Sequence, residues 1–412
     1  MTDIQKENKS GGKVPNNPKQ IPNLRFPEFE GEWEVKKLGE IATFSKGKGI
    51  SKSEIEENGI TECIRYGELY THYREVINEI KSRTNVDKSA LVLSEENDVI
   101  IPASGETTID IATASCVLKP GIALGGDLNI IKSKNDGVFL SYYLNSKKKM
   151  EIANLAQGIS VVHLYSSQLA SLSLSLPTNQ EQEKISTFLA KISERIDCSI
   201  KIIEGLEKLK VATAKKIFSQ EFRFKDNNGN DFSKWEEMKL KNIVIIQMGQ
   251  SPDSSSYNFE NIGIPLIQGN ADILNRKSNP RQYTSKPTKF CDVGDLLLTV
   301  RAPVGYVGKS KHYACIGRGI CSVKNNDKSI LEFIYQFLLY FEDKWKSIEQ
   351  GSTFTAVNSS DINSINILLP SIPEQTKIAN FLSSIDSKID IENQLLQKLE
   401  AQKKYLLQNM FV

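Results

Sequence analysis

The sequence predicts an α+β protein with two globular domains separated by a long antiparallel two-helix coiled coil, with an internal pseudo-twofold repeat. The 412 residues are enough for several domains at roughly 100 to 200 residues each. A composition of 39% hydrophobic and 25% charged residues is typical of a globular chain and argues against general disorder. Two repeated segments, and the long helical runs that follow them, predict the rest.

One unit occurs twice along the chain. PTNQEQEKISTFL, which begins at Pro177, matches PSIPEQTKIANFL, which begins at Pro370, at seven of 13 positions with an offset of 193 residues. The same offset aligns the Gln-Gly pairs at 157–158 and 350–351. Upstream, WEVKKLGEI from Trp33 matches WEEMKLKNI from Trp235 at five of nine positions with an offset of 202. An Arg-Phe pair precedes each tryptophan.

The second offset also aligns glycines inside each domain, although the residues between them are largely unrelated. Gly47 falls on Gly249, and Gly67 falls on Gly269. Similar borders around different interiors indicate a shared frame with two different binding surfaces, although surface loops also diverge without a function. Short strand-like and helical runs make each domain α+β. The clearest are the strands at 99–101, 296–300 and 365–369 and the helix at 331–342.

A long helix is predicted after each domain, at about residues 180–218 and 374–411. Apolar residues recur along both helices at steps of three or four and form one stripe. They are Ile185, Phe188, Ile192, Ile196, Ile200, Ile203, Leu206 and Ile217 in the first helix, and Ile378, Phe381, Ile385, Ile389, Leu396, Leu399 and Met410 in the second. Such a stripe must be buried, and the twin stripe is the obvious partner. The alternative is that each helix packs separately in its own domain.

We therefore divide the chain into five parts. They are a flexible N-terminal tail at 1–22, a first domain at 23–178, a spacer helix at 179–220, a second domain at 221–371 and a second spacer helix at 372–412.

Charge and cysteine content exclude several classes of protein. The 52 basic and 50 acidic residues give a net charge of +2, so any phosphate-binding face must be local. The six cysteines contain no CxxC pair, which favours reduced, buried thiols over a zinc or redox site. His312, Cys315 and Cys321 lack a fourth metal ligand. Because no run approaches the ~20 apolar residues of a membrane span or resembles a secretory signal, we expect a cytoplasmic protein.

No complete catalytic motif is present in the sequence. Gly308-Lys309-Ser310 resembles the end of a phosphate loop, but Pro303 stands where its first glycine is needed. The runs GKG at 47–49 and GRG at 317–319 are too short for dinucleotide fingerprints. There is no GxSxG motif. The absence of any Pro-Pro pair excludes the Asn-Pro-Pro-aromatic run that holds an extruded adenine in self-contained methyltransferases.

The two ordered copies resemble the specificity subunit of type I restriction-modification systems. The resemblance is carried by LRFPEFEGEWEVKKLGEI, the Gln-Gly loop at 157–158, the PxxxEQxKI helix start at Pro177 and their second copies, and it spans nearly the whole chain after the tail. It implies two target-recognition domains that each bind one half of a split DNA sequence, with the helices as the spacer. Unlike interiors then predict unlike half-sites, so the target should be asymmetric.

The resemblance also implies that this chain is not an enzyme and binds no cofactor itself. Two modification subunits would methylate DNA with S-adenosylmethionine, and restriction subunits would cleave and translocate it with ATP and Mg²⁺. The alternative function is a tandem-domain protein-binding scaffold without DNA specificity, which the near-neutral charge allows.

Polar and aromatic loop residues between the matching borders are the candidate base contacts, because Arg can bind guanine and Gln or Asn can bind adenine with two hydrogen bonds. In the first domain they are Arg65, Tyr66, Glu68, Tyr70, His72, Tyr73, Arg74, Ser104, Thr107, Thr108 and Ser160. In the second they are Gln268, Asn270, Asp272, Asn275, Arg276, Arg301, Tyr306, Ser352, Thr353 and Thr355. The candidate phosphate contacts are Lys46, Lys48, Lys309 and Lys311. For each single residue, a solvated loop or a structural turn is an equally good interpretation.

Overall fold

The computed structural model describes residues 19–158, 161–349 and 356–412. The chain divides into two compact units. The first unit contains the residues up to Cys198 together with Leu395–Val412, and the second contains Ser199–Gln394. Each unit therefore combines one α+β domain with parts of both long helices. Most of the predicted N-terminal tail lies outside the described residues.

The first unit contains two larger sheets and six short helices in its described residues. Its strands are β1 (Glu34–Lys37), β2 (Ala42–Lys46), β3 (Thr61–Ile64), β4 (Val76–Ile77), β5 (Ser82–Thr84), β6 (Val92–Leu93), β7 (Asp98–Pro102), β8 (Ser104–Gly105), β9 (Ser115–Val117), β10 (Ala123–Leu124), β11 (Leu128–Ser133), β12 (Val162–His163) and β13 (Ser173–Leu176). Its helices are α1 (Leu38–Ile41), α2 (Glu68–Thr71), α3 (Thr108–Ile111), α4 (Gly137–Ser146), α5 (Lys149–Leu155) and α6 (Ser166–Ala170), followed by the long helix α7 (Asn179–Phe218). The sheets have the orders β2-β11-β7-β9-β4 and β5-β3-β10-β6, with the pairs β1–β13 and β8–β12 beside them.

The second unit is built in the same way. Its strands are β14 (Glu236–Lys239), β15 (Val244–Met248), β16 (Tyr257–Asn258), β17 (Ile264–Ile267), β18 (Ile273–Leu274), β19 (Lys277–Ser278), β20 (Gln282–Thr284), β21 (Phe290–Cys291), β22 (Leu296–Thr299), β23 (Val307–Lys309), β24 (Ala314–Ile316), β25 (Ile320–Asn325) and β26 (Asn366–Leu369). Its helices are α8 (Leu331–Glu349), α9 (Ser359–Asn363) and the long helix α10 (Ile372–Asn409). The sheets have the orders β15-β25-β22-β23-β19-β18 and β16-β20-β17-β24-β21, with the pair β14–β26.

The two units share a frame of strands, which confirms the internal repeat. The order β2-β11-β7-β9 corresponds to β15-β25-β22-β23, and the parallel pair β3–β10 corresponds to β17–β24. In each unit the first strand pairs antiparallel with the last, β1 with β13 and β14 with β26. These pairs join the Trp segment to the run before each long helix. The strands predicted from apolar runs are β7, β22 and β26, and the predicted helix at 331–342 is the start of the longer α8.

The aligned glycines Gly47 and Gly249 lie where another loop comes close to the backbone. A Cβ atom at Gly47 would lie 2.0 Å from the carbonyl oxygen of Gly125, and one at Gly249 would lie 2.2 Å from that of Gly317. No side chain fits at either distance. Both positions therefore require glycine, and they mark the same point of the frame in each unit.

A buried carboxylate fixes the start of the first long helix. Glu181, in the first turn of α7, accepts hydrogen bonds from Arg25 Nε and Nη2, both at 2.7 Å, and from Trp33 Nε1 at 3.4 Å. The Glu181 side chain is only 1% exposed. Its hydrogen bonds and charge raise the pKa of Arg25. The repeated Arg-Phe, Trp and Glu-Gln motifs thus meet at one point.

The second unit repeats this contact. Glu374, in the first turn of α10, accepts hydrogen bonds from Arg223 Nε at 3.2 Å and Arg223 Nη2 at 2.7 Å, and from Trp235 Nε1 at 3.0 Å. Its side chain is fully buried. The glutamine after each carboxylate closes the turn, because Gln182 and Gln375 each donate to the carbonyl of the motif proline at 2.9 Å. We call the Arg25–Trp33–Glu181 and Arg223–Trp235–Glu374 groups the helix-start clamps.

Each long helix begins in one unit and ends in the aromatic core of the other. The ring of Phe218, the last residue of α7, lies 5.8 Å from that of Phe333 in the second unit. The ring of Phe411, which follows α10, lies 5.3 Å from that of Phe139 in the first unit. The alternative prediction, in which each long helix packs separately in its own domain, is therefore wrong.

Within the second unit the two helices are antiparallel, as predicted. Lys210 of α7 forms an ion pair with Asp386 of α10 at 2.6 Å. Phe218, farther along α7, lies in the same buried cluster as Ile378, which is nearer the start of α10. The two helices therefore run in opposite directions.

Most of the predicted apolar stripe is buried, but Phe188 and Phe381 have a different role. Phe381 is 39% exposed. The ring of Phe188 packs against Phe26 at 5.7 Å, and that of Phe381 packs against Phe224 at 5.6 Å. These two rings hold the Arg-Phe segments against the helices. The spacing of three or four residues between apolar positions therefore did not distinguish packing on these segments from packing between the helices.

Replacing Glu374 with Ala should destabilise the second unit by roughly 3 to 5 kcal/mol, because Arg223 and the indole N–H of Trp235 lose a buried acceptor. Urea unfolding followed by tryptophan fluorescence measures this change. Glu236→Ala is the matched control, since Glu236 is exposed on β14, and it should change stability by less than about 0.5 kcal/mol. Equal effects of the two substitutions would contradict the role of the clamp.

Gly205→Ala should raise the free energy of unfolding by about 0.5 to 1 kcal/mol, because glycine is less favourable than alanine inside a helix. Gly205 lies within α7, and apart from its chain neighbours and the adjacent helix backbone no atom lies within 4 Å of the position that a Cβ would take. Gly249→Ala serves as the comparison and should lower stability because of its close approach to Gly317. A loss of stability in Gly205→Ala, measured by the same urea titration, would contradict the open helix surface.

Candidate nucleic-acid interface

A buried carboxylate orders the loop that follows β3 in the first unit. Glu68 Oε2 accepts a hydrogen bond from the backbone N–H of Arg65 at 3.0 Å, and its Oε1 accepts one from Ser82 Oγ. Glu68 is buried, whereas Arg65 is half-buried. The Glu68 carboxylate is therefore occupied inside the protein, and its effect is to fix the backbone of Arg65.

The loop that follows β17 in the second unit is held in the same way. Asp272 Oδ2 accepts a hydrogen bond from the backbone N–H of Gln268 at 2.8 Å, and Asp272 Oδ1 accepts one from Arg281 Nε at 2.9 Å. Asp272 is buried. Glu68 and Asp272 were both predicted to contact bases. Each instead supports the backbone of its loop, at matching places in the two units.

The strand registers show that Gly67 and Gly269 are not equivalent, contrary to their sequence alignment. Ile64 and Ile267 take the same place in the parallel pairs β3–β10 and β17–β24. Gly67 lies three residues beyond Ile64, but Gly269 lies two residues beyond Ile267. The loop before the strand is one residue longer in the second unit, so the offset that aligns Gly47 with Gly249 no longer applies.

The tyrosines of the first loop line its inner side. Tyr66 and Tyr73 pack against the buried cluster that contains Leu69. Tyr73 Oη also accepts a hydrogen bond from the backbone N–H of Lys81 at 2.9 Å, and burial raises the pKa of Tyr73 to about 12. Burial raises the pKa of Tyr70 as well, although part of its ring is exposed. All three tyrosines are half-buried, and Tyr70, unlike the other two, does not pack against that cluster.

His72 and Arg74 lie at the exposed end of this loop. His72 Nδ1 is 2.6 Å from the hydroxyl of Thr71. Arg74 Nε forms an ion pair with Asp197 of α7 at 3.2 Å. Arg74 therefore connects the loop to the helix.

The remaining described candidates of the first unit surround α3. Ser104 is buried in the short β8–β12 pair. Thr107 Oγ1 accepts a hydrogen bond from the backbone N–H of Asp110 at 3.1 Å and caps the helix. Thr108, the first residue of α3, is exposed. Four other candidates lie outside the described residues: Ser160, Ser352, Thr353 and Thr355.

Amide side chains gather in the loop of the second unit. Gln268 Nε2 donates to Gln282 Oε1 at 3.2 Å, and Tyr257 Oη donates to Gln268 Oε1 at 3.4 Å. Asn270 Oδ1 is buried and has no hydrogen-bond partner in the described part of the chain. Asn275 is exposed in a left-handed turn with φ of 48°.

Arg276 is half-buried and paired within the second unit. Arg276 Nη2 donates to Glu342 Oε2 at 2.9 Å, and Arg276 Nη1 donates to Glu342 Oε1. The guanidinium also lies 4.1 Å from the ring centroid of Tyr306. Burial opposes the charge of Arg276, but the hydrogen bonds and charge of Glu342 outweigh it and raise the pKa of Arg276. The group fixes the turn between β18 and β19, and this favours a structural role for both Arg276 and Tyr306.

The predicted phosphate-binding lysines differ in their surroundings. Lys46, Lys48 and Lys311 are exposed. Lys309 instead forms an ion pair with Glu332, and its Nζ lies 4.2 Å from the ring centroid of Tyr335. The first three are accordingly better placed than Lys309 to meet an anion. Arg301, which bridges to Ala356 through its backbone, is also exposed.

Sequence reasoning missed Arg318, which lies beside the loop of Gln268. The backbone N–H of Arg318 donates to Ser251 Oγ at 3.1 Å, and the residue is exposed. A Cβ atom at Gly319 would lie 2.3 Å from the carbonyl oxygen of Gln268. The GRG run at 317–319 was the available signal, because paired glycines mark a close approach of two backbones.

Comparison with known proteins assigns the fold and these loops to a family. The model of the type I restriction modification DNA specificity domain matches residues 30–208 and 232–401. The chain belongs to this family. It is 34% identical over 304 residues to the putative type I restriction enzyme MjaX specificity subunit of Methanocaldococcus jannaschii, which covers 70% of this chain and 71% of that protein. It is 26% identical over 424 residues to the MjaVIII specificity subunit of the same organism, covering 94% and 93%.

The fold of this specificity subunit is also similar to that of solved structures. The crystal structure of a type I restriction-modification S subunit from M. genitalium superposes with a TM-score of 0.68 at 17% identity, over 95% of this chain and 99% of that chain. A chain from a structural study of complex assembly and conformational transition in the type I system superposes with a TM-score of 0.56 at 22% identity, over 92% and 97%. The predicted resemblance, fold class and DNA-specificity function are therefore confirmed.

Five of the six cysteines in the specificity subunit are buried, and Cys198 is exposed. Burial raises the pKa of Cys63 to about 11 and that of Cys321 to about 12. His312 Nδ1 is 2.7 Å from Ser278 Oγ. Within the described ranges, no cluster of three or more His, Cys, Asp or Glu side chains could hold a metal ion, and no helix is long and apolar enough to cross a membrane.

A thiol reagent at about pH 8 should modify Cys198 in the native protein and reach the other cysteines only after unfolding, because the reactive thiolate is disfavoured by burial. Mass spectrometry of the labelled chain counts the modified residues. Cys198→Ser should remove the native label. Comparable labelling of a second cysteine before unfolding would contradict the observed burial.

Proposed function

We propose that this specificity subunit is a non-catalytic DNA-binding component of a type I restriction-modification complex, and that it binds a bipartite, asymmetric duplex target with one unit per half-site. The observation that carries the proposal is the combination of a common strand frame with different loop residues. The frame puts the loops after β3 and β17 in corresponding places, and the side chains in those loops differ in their hydrogen-bonding capacity.

Side chains that are exposed or half-buried and keep at least one unused donor or acceptor are the best candidates for DNA contacts. For the bases these are Arg65, Tyr70, His72 and Thr108 in the first unit, and Gln268, Asn270, Asn275, Arg301 and Arg318 in the second. For the phosphates they are Lys46, Lys48 and Lys311. The other described candidates support these loops through the internal contacts given above.

The chemistry would be performed by partner proteins. We expect two modification subunits that methylate adenine with S-adenosylmethionine, and restriction subunits that use ATP and Mg²⁺, while this chain binds no cofactor. The long helices offer exposed cationic side chains for docking, such as Lys191, Lys208 and Lys388. Their length would set the number of base pairs between the half-sites. Because the substrate is genomic DNA, we expect the complex to act in the cytoplasm.

Mapping of methyladenine across the genome of the source cells should give a split motif with two unlike halves, and deletion of the gene for this chain should remove it. The two loops differ in side-chain chemistry, so identical halves are not expected. Methylation that persists without this chain, or a palindromic motif, would contradict the proposal.

Binding to duplex DNA distinguishes this function from a protein-binding scaffold. The affinity of the purified complex for duplex DNA should fall steeply with salt, with a slope of log K against log salt of about −0.9 per phosphate contact. Lys311→Ala should reduce that slope by about one and leave the sequence preference unchanged. Affinity that does not depend on salt would favour the scaffold.

A further inference from the structure

The parallel strand pairs bring two loops together at one edge of a sheet in each unit. β3 runs parallel to β10, and β17 runs parallel to β24, so the loops that follow both strands of a pair lie at the same edge. The carbonyl of Ile64 accepts a hydrogen bond from the N–H of Gly125 at 2.8 Å, and the carbonyl of Ile267 accepts one from Gly317, also at 2.8 Å. The last residues of β3 and β17 are therefore equivalent.

The next residue is Arg65 in the first unit and Gln268 in the second. In both units a buried carboxylate holds the backbone N–H of this residue, Glu68 at 3.0 Å and Asp272 at 2.8 Å. Two independent contacts, the strand register and the carboxylate, thus define one position in the common frame. At this position Arg65 carries a guanidinium group and Gln268 carries an amide group.

A glycine in the neighbouring loop leaves space beside both side chains. A Cβ atom at Gly125 would lie 3.6 Å from Arg65 Cγ, and one at Gly317 would lie 3.2 Å from Gln268 Cγ. A Cβ at Gly317 would therefore crowd the Gln268 side chain, whereas one at Gly125 would only touch Arg65 Cγ but would lie 3.1 Å from the carbonyl oxygen of Ile64. In both units a glycine thus lies directly beside the side chain at this position.

Both side chains keep free hydrogen-bonding capacity. Arg65 is half-buried, and its guanidinium forms no ion pair with any described residue. Gln268 uses one amide hydrogen for Gln282, and its Oε1 lies 3.4 Å from Tyr257 Oη, whose single hydrogen it shares with the carbonyl of Pro252. An amide has a second hydrogen and a second lone pair, so Gln268 is oriented by its neighbours and can still bind a base edge at two points.

We propose that Arg65 and Gln268 are matching specificity-determining residues, one for each half of the DNA target. Arg65 donates two hydrogen bonds to O6 and N7 of a guanine, and Gln268 accepts from N6 and donates to N7 of an adenine, both in the major groove. The inference deepens the proposed function and rests on it. Corresponding positions of the two half-sites then contain guanine in one and adenine in the other.

Exchange of the two residue types tests this assignment. In source cells whose own gene is replaced by the Arg65→Gln variant, methyladenine mapping should show one guanine of one half-site replaced by adenine. The Gln268→Arg variant should show the reverse change at one position of the other half-site. The preference at each altered position should change by roughly 5- to 140-fold, the range expected for one bidentate contact.

Two further variants serve as controls. Arg83→Gln makes the same change on β5, where Arg83 Nε donates to the carbonyl of Gly59 at the opposite end of β3 from Arg65, and it should leave the motif unchanged. Arg65→Lys keeps the positive charge but lacks the planar fork, so it should weaken the guanine preference without changing the salt dependence.

The outcomes separate this inference from the proposed function. A split motif that depends on the chain but is identical in Arg65→Gln and Gln268→Arg overturns the inference and leaves the function intact. The absence of any motif that depends on the unaltered chain overturns the function itself. If Arg65→Gln stops all methylation, Arg65→Lys decides, because an undiminished guanine preference in that variant overturns the assignment.

Discussion

The structure depends on one buried interaction that occurs twice, between a carboxylate in the first turn of a long helix and an Arg and a Trp from the start of the same repeat. A carboxylate without solvent contact is stable only when charged and neutral donors surround it, and Glu181 and Glu374 each have both. The contact fixes where each long helix begins relative to its domain. Everything attached to the helices, including the sheets and their loops, takes its position from that point.

The repeat, the long helices and the main strands could be predicted from the sequence because they depend on local periodicity and on similarity between two segments. The strand register could not, since one extra residue before β17 shifts the alignment without any local signal. Periodicity also placed Phe381 in the helix stripe, whereas it packs on Phe224. An apolar residue at helical spacing shows that a side chain is buried by something, but it does not identify the partner.

The loops that carry the candidate site could be located from the sequence, because they lie between matching borders. The role of each side chain could not be derived, since it depends on partners far along the chain. Arg276 is paired with Glu342, 66 residues away, and Glu68 binds Ser82, 14 residues away. Arg65 and Arg276 have the same chemistry in the sequence, and only the fold pairs the second with a carboxylate and leaves the first without an ion pair among the described residues.

The position of Phe411 affects the order in which the protein can fold. Its ring belongs to the core around Phe139, so the first unit requires a residue that follows the whole of the second unit in the sequence. During synthesis, the second unit can assemble once the chain extends to Gln394, whereas the first also requires the segment that contains Phe411. Until that segment is made, the aromatic core around Phe139 and Tyr143 lacks the ring that stacks on it.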